Sequence, residues 1–130
     1  MLDLVFVYGT LRRGEANAGL LRDAECISEK AYMRGGLYDT GCGYPALTLS
    51  GQQCVQGEVY RVDAPTLKKL DELEDYYAKG DPRNLYERVS VAVHSDQGDM
   101  QVWTYIFLEE KALQLERIDS GDWLKRMGNE

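Results

Sequence analysis

Apolar and polar positions divide the chain into short segments with two different periods. Leu4 to Tyr8 is an unbroken, partly β-branched apolar run, the pattern of a strand covered on both faces. It stops at Gly9-Thr10-Leu11-Arg12-Arg13-Gly14, and a short helix is expected over Ala16 to Asp23. Ile27 to Tyr38 and Ala46 to Leu49 read as weaker strands, and Val55 to Val62 alternates with period two. Glycine clusters at Gly35-Gly36 and Gly41-Cys42-Gly43 punctuate these runs as turns do. Leu85 to His94 places Val89, Val91 and Val93 on one face, whereas Met100 to Leu108 is apolar on both, with Trp103 and Tyr105 read as core. The polar stretch Ser95 to Asp99 between them predicts a hairpin loop.

One segment has helical period. Asp63 is a good N-cap and Pro65 falls in the first turn, where its missing N–H costs nothing. The pattern continues through Leu67, Leu70 and Leu73 to about Tyr77, before Gly80-Asp81-Pro82 stops it. Ser120 to Leu124 reads as a further helical turn. Many strands with one substantial helix predict an α+β fold: a small mixed β-barrel with flanking short helices, in a single domain over residues 1–130.

The helix carries a misplaced charge. With Leu67 at zero, Leu70 and Leu73 fall near ~300° and ~240°, and Glu74 falls near ~340°, inside the apolar stripe. Lys68, Glu72 and Asp75 lie on the other side, near ~100°, ~140° and ~80°. A carboxylate turned toward a core is costly unless it is paired, hydrogen-bonded or protonated. Desolvation would raise its pKa, which suits a group that takes and returns a proton near neutral pH. The plainer alternative is a rim salt bridge with Arg88 or Lys79. Asp71, one turn earlier, can also be read with Glu74 as an acid–base pair for another amide or glycoside hydrolysis, although two carboxylates on one helix do not flank a bond.

Composition and charge narrow the chemistry. Fifteen Lys and Arg against 22 Asp and Glu leave a net charge of −7, with acids spread along the chain. Such a surface repels phosphate backbones, so neither nucleic acid nor anionic membrane is an expected partner. Gly9 and Gly14 are spaced like the glycines of a phosphate-binding loop, but Glu15 and Ala16 stand where Lys and Ser or Thr are required. What remains is either a loop of free amides suited to a smaller anion such as a carboxylate, or a tight turn with Arg12 and Arg13 in solvent. Tyr86 and Arg88 share a strand face, as a site wall or as barrel exterior, and His94 reads as exposed. Cys26, Cys42 and Cys54 lack a C-x-x-C spacing and have one His for company, which excludes a Cys/His zinc site and predicts reduced thiols. The N-terminus has no basic region and only a short apolar run, so a soluble, cytoplasmic protein is expected.

Val7-Tyr8-Gly9-Thr10-Leu11-Arg12-Arg13-Gly14 resembles the YG(S/T)L-x-x-G loop of the γ-glutamylcyclotransferase-like family. Supporting matches follow in order: Gly43-Tyr44-Pro45, Gly57-Glu58-Val59-Tyr60, Leu70-Asp71-Glu72-Leu73-Glu74, Tyr86-Glu87-Arg88 and Ser120-Gly121-Asp122-Trp123. The length resembles the γ-glutamylamine cyclotransferase branch and small bacterial relatives. The resemblance implies a small mixed barrel with a cavity at one end. It also implies that Tyr8, Gly9, Thr10 and Leu11 hold the glutamyl part of a small γ-glutamyl substrate, that Tyr86 borders the cavity, and that Glu74 is the catalytic general base and acid. The implied reaction is intramolecular acyl transfer, closing the γ-glutamyl group to 5-oxoproline with release of an amine or amino acid and with no metal or cofactor. Asp75 stands where the family usually has Gly, and the stretch from Tyr76 to Asn84 is longer than usual. A non-catalytic binding module for a glutamyl-like carboxylate metabolite is the alternative.

Overall fold

The structure, a computed structural model, describes residues 2–125. Its strands are β1 (Leu2–Val7), β2 (Glu25–Asp39), β3 (Pro45–Asp63), β4 (Tyr86–Ser95), β5 (Met100–Phe107) and β6 (Glu116–Arg117). Its helices are α1 (Ala64–Leu73) and the short α2 (Glu109–Ala112), with 3-10 turns at Ala18–Leu21 and Trp123–Lys125.

The sheet closes on itself. Strand neighbours run β3-β1-β5-β4-β2, and a further β2–β3 pairing completes a five-stranded barrel, with β6 attached to β2 outside the ring. β1 runs antiparallel to β3 from Leu2↔Asp63 to Val7↔Glu58 and parallel to β5 at Val5↔Trp103, which makes the barrel mixed. Closure removes exposed strand edges. The expected α+β class and small mixed barrel with short flanking helices are what the chain forms.

Phe6, Leu37, Leu47, Val55, Val59, Val93 and Val102 fill the barrel, each nearly or wholly removed from solvent. A second apolar cluster, with Val5, Val7, Tyr60 and Tyr105, lies under Leu70 of α1. Burying a leucine of this kind contributes about 2 to 3 kcal/mol, enough to fix the face that α1 turns to the barrel.

Some boundaries differ from expectation, for physical reasons. Ala46–Leu49 and Val55–Val62 belong to one strand, β3. Residues 49–52 bulge out between the pairs Gly36↔Thr48 and Gly35↔Gln53, which interrupts the apolar alternation. The helix expected over Ala16–Asp23 is only the 3-10 turn Ala18–Leu21, and α1 ends at Leu73 rather than near Tyr77. α2 and β6 carry too little apolar pattern to be foreseen. Among the described residues, Cys26, Cys42 and Cys54 are free thiols, and no helix is long and apolar enough to cross a membrane.

Candidate active site

The loop leaving β1 is held from beneath by buried charge. Arg12 is buried, donating from Nε to Glu58 Oε2 at 3.1 Å and from a terminal nitrogen to Asp122 Oδ1 at 2.8 Å. Glu58 Oε1 in turn accepts from the Arg13 amide at 3.0 Å and the Tyr60 hydroxyl at 2.9 Å. Arg12 is therefore not the solvated side chain of a simple turn; only Arg13 is exposed, paired with Glu29 at 3.2 Å.

Above this network the loop approaches β3 closely. A Cβ on Gly9 would lie 2.6 Å from Cγ and Cδ of Pro45, so glycine is required there by contact. The Gly9 and Thr10 carbonyls accept from the amides of Arg12 and Asn17, and Asn17 Nδ2 donates to Thr10 Oγ1 at 2.9 Å. Among the described residues, no acceptor takes up the N–H groups of Gly9, Thr10 or Leu11.

Glu74 faces that loop. It is the C-cap of α1, and the chain turns there in a Schellman closure: the Asp75 amide donates to Glu72 O and the Tyr76 amide to Asp71 O. Asp75 takes the left-handed residue of that closure at φ 52°, the position usually filled by glycine. This turn ends the helix early and brings the Glu74 carboxyl to a hollow of about 30 Å³ lined by Tyr8, Gly9, Thr10, Leu11, Tyr44, Pro45, Glu74, Tyr86 and Tyr105. Burial, and secondarily the Asp75 charge, push its pKa from 4.5 up to about 7. Its side chain has no hydrogen bond or ion pair among the described residues.

The salt bridge considered for Glu74 goes to Asp71 instead. Arg88 pairs with the Asp71 carboxylate at 3.1 Å, lies against the Tyr76 and Trp103 rings, and leaves Glu74 alone. Asp71 also accepts from the Tyr105 hydroxyl at 2.7 Å and does not line the hollow, so it is unsuited to act with Glu74 as an acid–base pair.

Tyrosines make the walls. The Tyr86 hydroxyl donates to Pro45 O at 2.6 Å, and the Tyr8 hydroxyl donates to the carbonyl of Tyr105. Burial pushes all three phenols upward, so they remain neutral donors. Tyr105, read from the sequence as core, is both core and wall, and only the closed barrel reveals it. A second basin of about 320 Å³ adjoins the hollow and shares Thr10, Tyr44, Glu74 and Tyr86 with it, which places Glu74 at the junction. His94 lies apart from both, exposed and paired with Asp99.

The chain that carries this hollow resembles known proteins in sequence and in fold. The sequence pattern described as gamma-glutamyl cyclotransferase, AIG2-like, matches residues 5–125. The chain belongs to this family. It is 46% identical over 110 residues to the gamma-L-glutamyl-butirosin B gamma-glutamyl cyclotransferase of Niallia circulans, covering 85% of this chain and 70% of that one. Its fold superimposes on YkqA from Bacillus subtilis with a TM-score of 0.76 at 32% identity, over 95% of this chain and 40% of that longer one. An AIG2-like protein from Mus musculus superimposes with a TM-score of 0.74 at 26% identity, over 92% of this chain and 87% of that one.

In this member of the cyclotransferase family the scattered sequence matches converge on one place. Tyr44, Pro45, Glu74 and Tyr86 line the hollow, while Glu58 and Asp122 hold Arg12 beneath the loop. Leu70 anchors the helix that carries Glu74.

Proposed function

We propose that this cyclotransferase-family protein converts a small γ-glutamyl amine or amino acid into 5-oxoproline and the free amine, with Glu74 as the general base and then the general acid. The observation that carries the reading is the unpaired, partly dehydrated Glu74 carboxyl in the same hollow as the free amides of Gly9, Thr10 and Leu11. The relative from Niallia circulans supports it, since its name describes a γ-glutamyl cyclotransferase acting on a γ-glutamylated compound.

A γ-glutamyl amide carries its own nucleophile. Its α-amino group closes a five-membered ring on the γ-carbonyl, so the protein's main task is to hold the folded conformer and remove the entropy cost of approach. The inner hollow suits the α-carboxylate end, against loop N–H groups, while the leaving amine extends into the outer basin. Glu74, at the junction, takes a proton from the α-ammonium. The amine nitrogen then bonds to the γ-carbon, and the resulting oxyanion is stabilised by preorganised amide donors. Collapse breaks the bond to the leaving nitrogen, which receives the proton from Glu74, and the ring nitrogen gives its second proton back to the freed Glu74 carboxylate and from there to water, leaving the neutral lactam. A positioned acid–base group with a pKa near the working pH contributes roughly 10² to 10⁴ in rate.

Mass spectrometry after incubation with a panel of γ-glutamyl amines and amino acids tests this directly. The expected products are 5-oxoproline and free amine in equal amounts. Free glutamate as the product would move the reading to amide hydrolysis, and saturable binding of 5-oxoproline without turnover would support the binding module.

A further inference from the structure

The outer basin has a charge character of its own. The charged groups lining it are Glu74 and Asp75; no Lys or Arg among the described residues lines it. Arg88 is paired with Asp71, and Arg83 with Asp81 and the Tyr77 ring. Lys79 is exposed and does not line the basin. The remaining wall is mixed: Thr10 and Asn17 are polar, Ala16, Leu73 and Leu85 apolar, and the rings of Tyr44 and Tyr86, whose centroids lie 6.3 Å apart, aromatic.

Asp75 is fixed in direction although its side chain is exposed. Its backbone sits in the left-handed region at φ 52°, its amide is tied to Glu72 O and its carbonyl accepts from the Leu85 amide at 3.0 Å. The carboxylate has no hydrogen bond or ion pair among the described residues. A non-glycine residue held at positive φ carries a conformational cost, and here that residue places an unpaired anion on the wall of a cavity.

Resting on the reading above, we propose that Asp75 makes the outer basin a subsite for leaving amines that carry a second positive charge. The α-carboxylate end of the glutamyl group enters the inner hollow, the scissile amide lies beside Glu74, and a further ammonium on the departing group meets the Asp75 carboxylate and the electron-rich faces of Tyr44 and Tyr86. A leaving group bearing its own carboxylate meets two acids there and is disfavoured. The preference is local to the basin, because a diffuse field from the net charge of −7 is largely screened at ordinary ionic strength.

Three conjugates of nearly equal reach test it: the γ-glutamyl monoamides of 1,4-diaminobutane, of butylamine and of 4-aminobutanoate. The wild-type chain is expected to show kcat/KM falling in that order. The diamine should exceed the alkylamine by about three- to tenfold at low salt, the size of a partly exposed ion pair with an aromatic contribution. Asp75→Asn, which tolerates the same backbone conformation, is expected to bring that ratio close to one. Glu72→Gln, an exposed acid on the same helix outside the basin, should leave the ratio unchanged. Turnover with equal kcat/KM for diamine and alkylamine, or a ratio that survives Asp75→Asn, overturns this proposal while the cyclotransferase reading stands. No 5-oxoproline from any of the three overturns both.

Discussion

Replacing Glu74 with Gln should make the protein more stable at alkaline pH and leave it unchanged at acid pH. The carboxyl titrates near 7 in the folded state against an ordinary value of 4.5. The folded state therefore binds more protons than the unfolded chain between those values, so stability falls as pH rises through that window. The full shift corresponds to about 3 kcal/mol, and because the residue is only partly withdrawn from water about 1 to 2 kcal/mol is the working figure. Below about pH 4.5 the group is neutral in both states, and the amide mimics the protonated acid in shape and polarity. Urea unfolding of wild type and Glu74→Gln at pH 4.5, 6 and 8 reads the difference, and every other titrating group is common to both chains. The variant should gain progressively up to about pH 7 and hold its advantage above it. A difference that is flat across pH, or a wild type that gains relative stability as pH rises, would mean that the carboxylate is solvated or paired.

Other consequences can be measured alongside. For the wild type, kcat/KM should rise with pH to a midpoint near 7, because the free protein must present an ionised Glu74 to accept the proton; a midpoint near 4.5 would contradict the burial of that group. Arg12→Ala leaves Glu58 without its buried partner and should cost about 3 to 5 kcal/mol in chemical denaturation. A loss below ~1 kcal/mol would show that the loop is not held from beneath. Gly9→Ala drives a Cβ into Pro45, and the overpacking should cost about 1 to 3 kcal/mol with a larger loss of turnover as the loop amides shift.

The parts of the fold that were legible in the sequence are those set by local rules. Asp63 and Pro65 marked the start of α1 because capping depends on adjacent residues; Asp63 does accept from the Thr66 amide at 2.9 Å. The end of α1 was not legible, since it depends on Asp75 adopting a conformation that aspartate seldom takes. Glu74 stood out because a 3.6-residue period placed it among leucines, whereas the hollow it faces comes from Gly9 and Pro45, far away along the chain. Arg12 looked like surface because its partners, Glu58 and Asp122, are remote in sequence and only barrel closure brings them beneath the loop. The same holds for Arg88, whose partner is Asp71 rather than the glutamate one turn beyond.

The proposed mechanism asks most of one proton-carrying group, so the most direct measurement is the rate of 5-oxoproline formation by wild type and by Glu74→Gln under single-turnover conditions, with binding of the γ-glutamyl substrate measured separately. The mechanism predicts that the folded variant still binds substrate and forms 5-oxoproline at least a hundredfold more slowly. Equal rates from the two chains would contradict it.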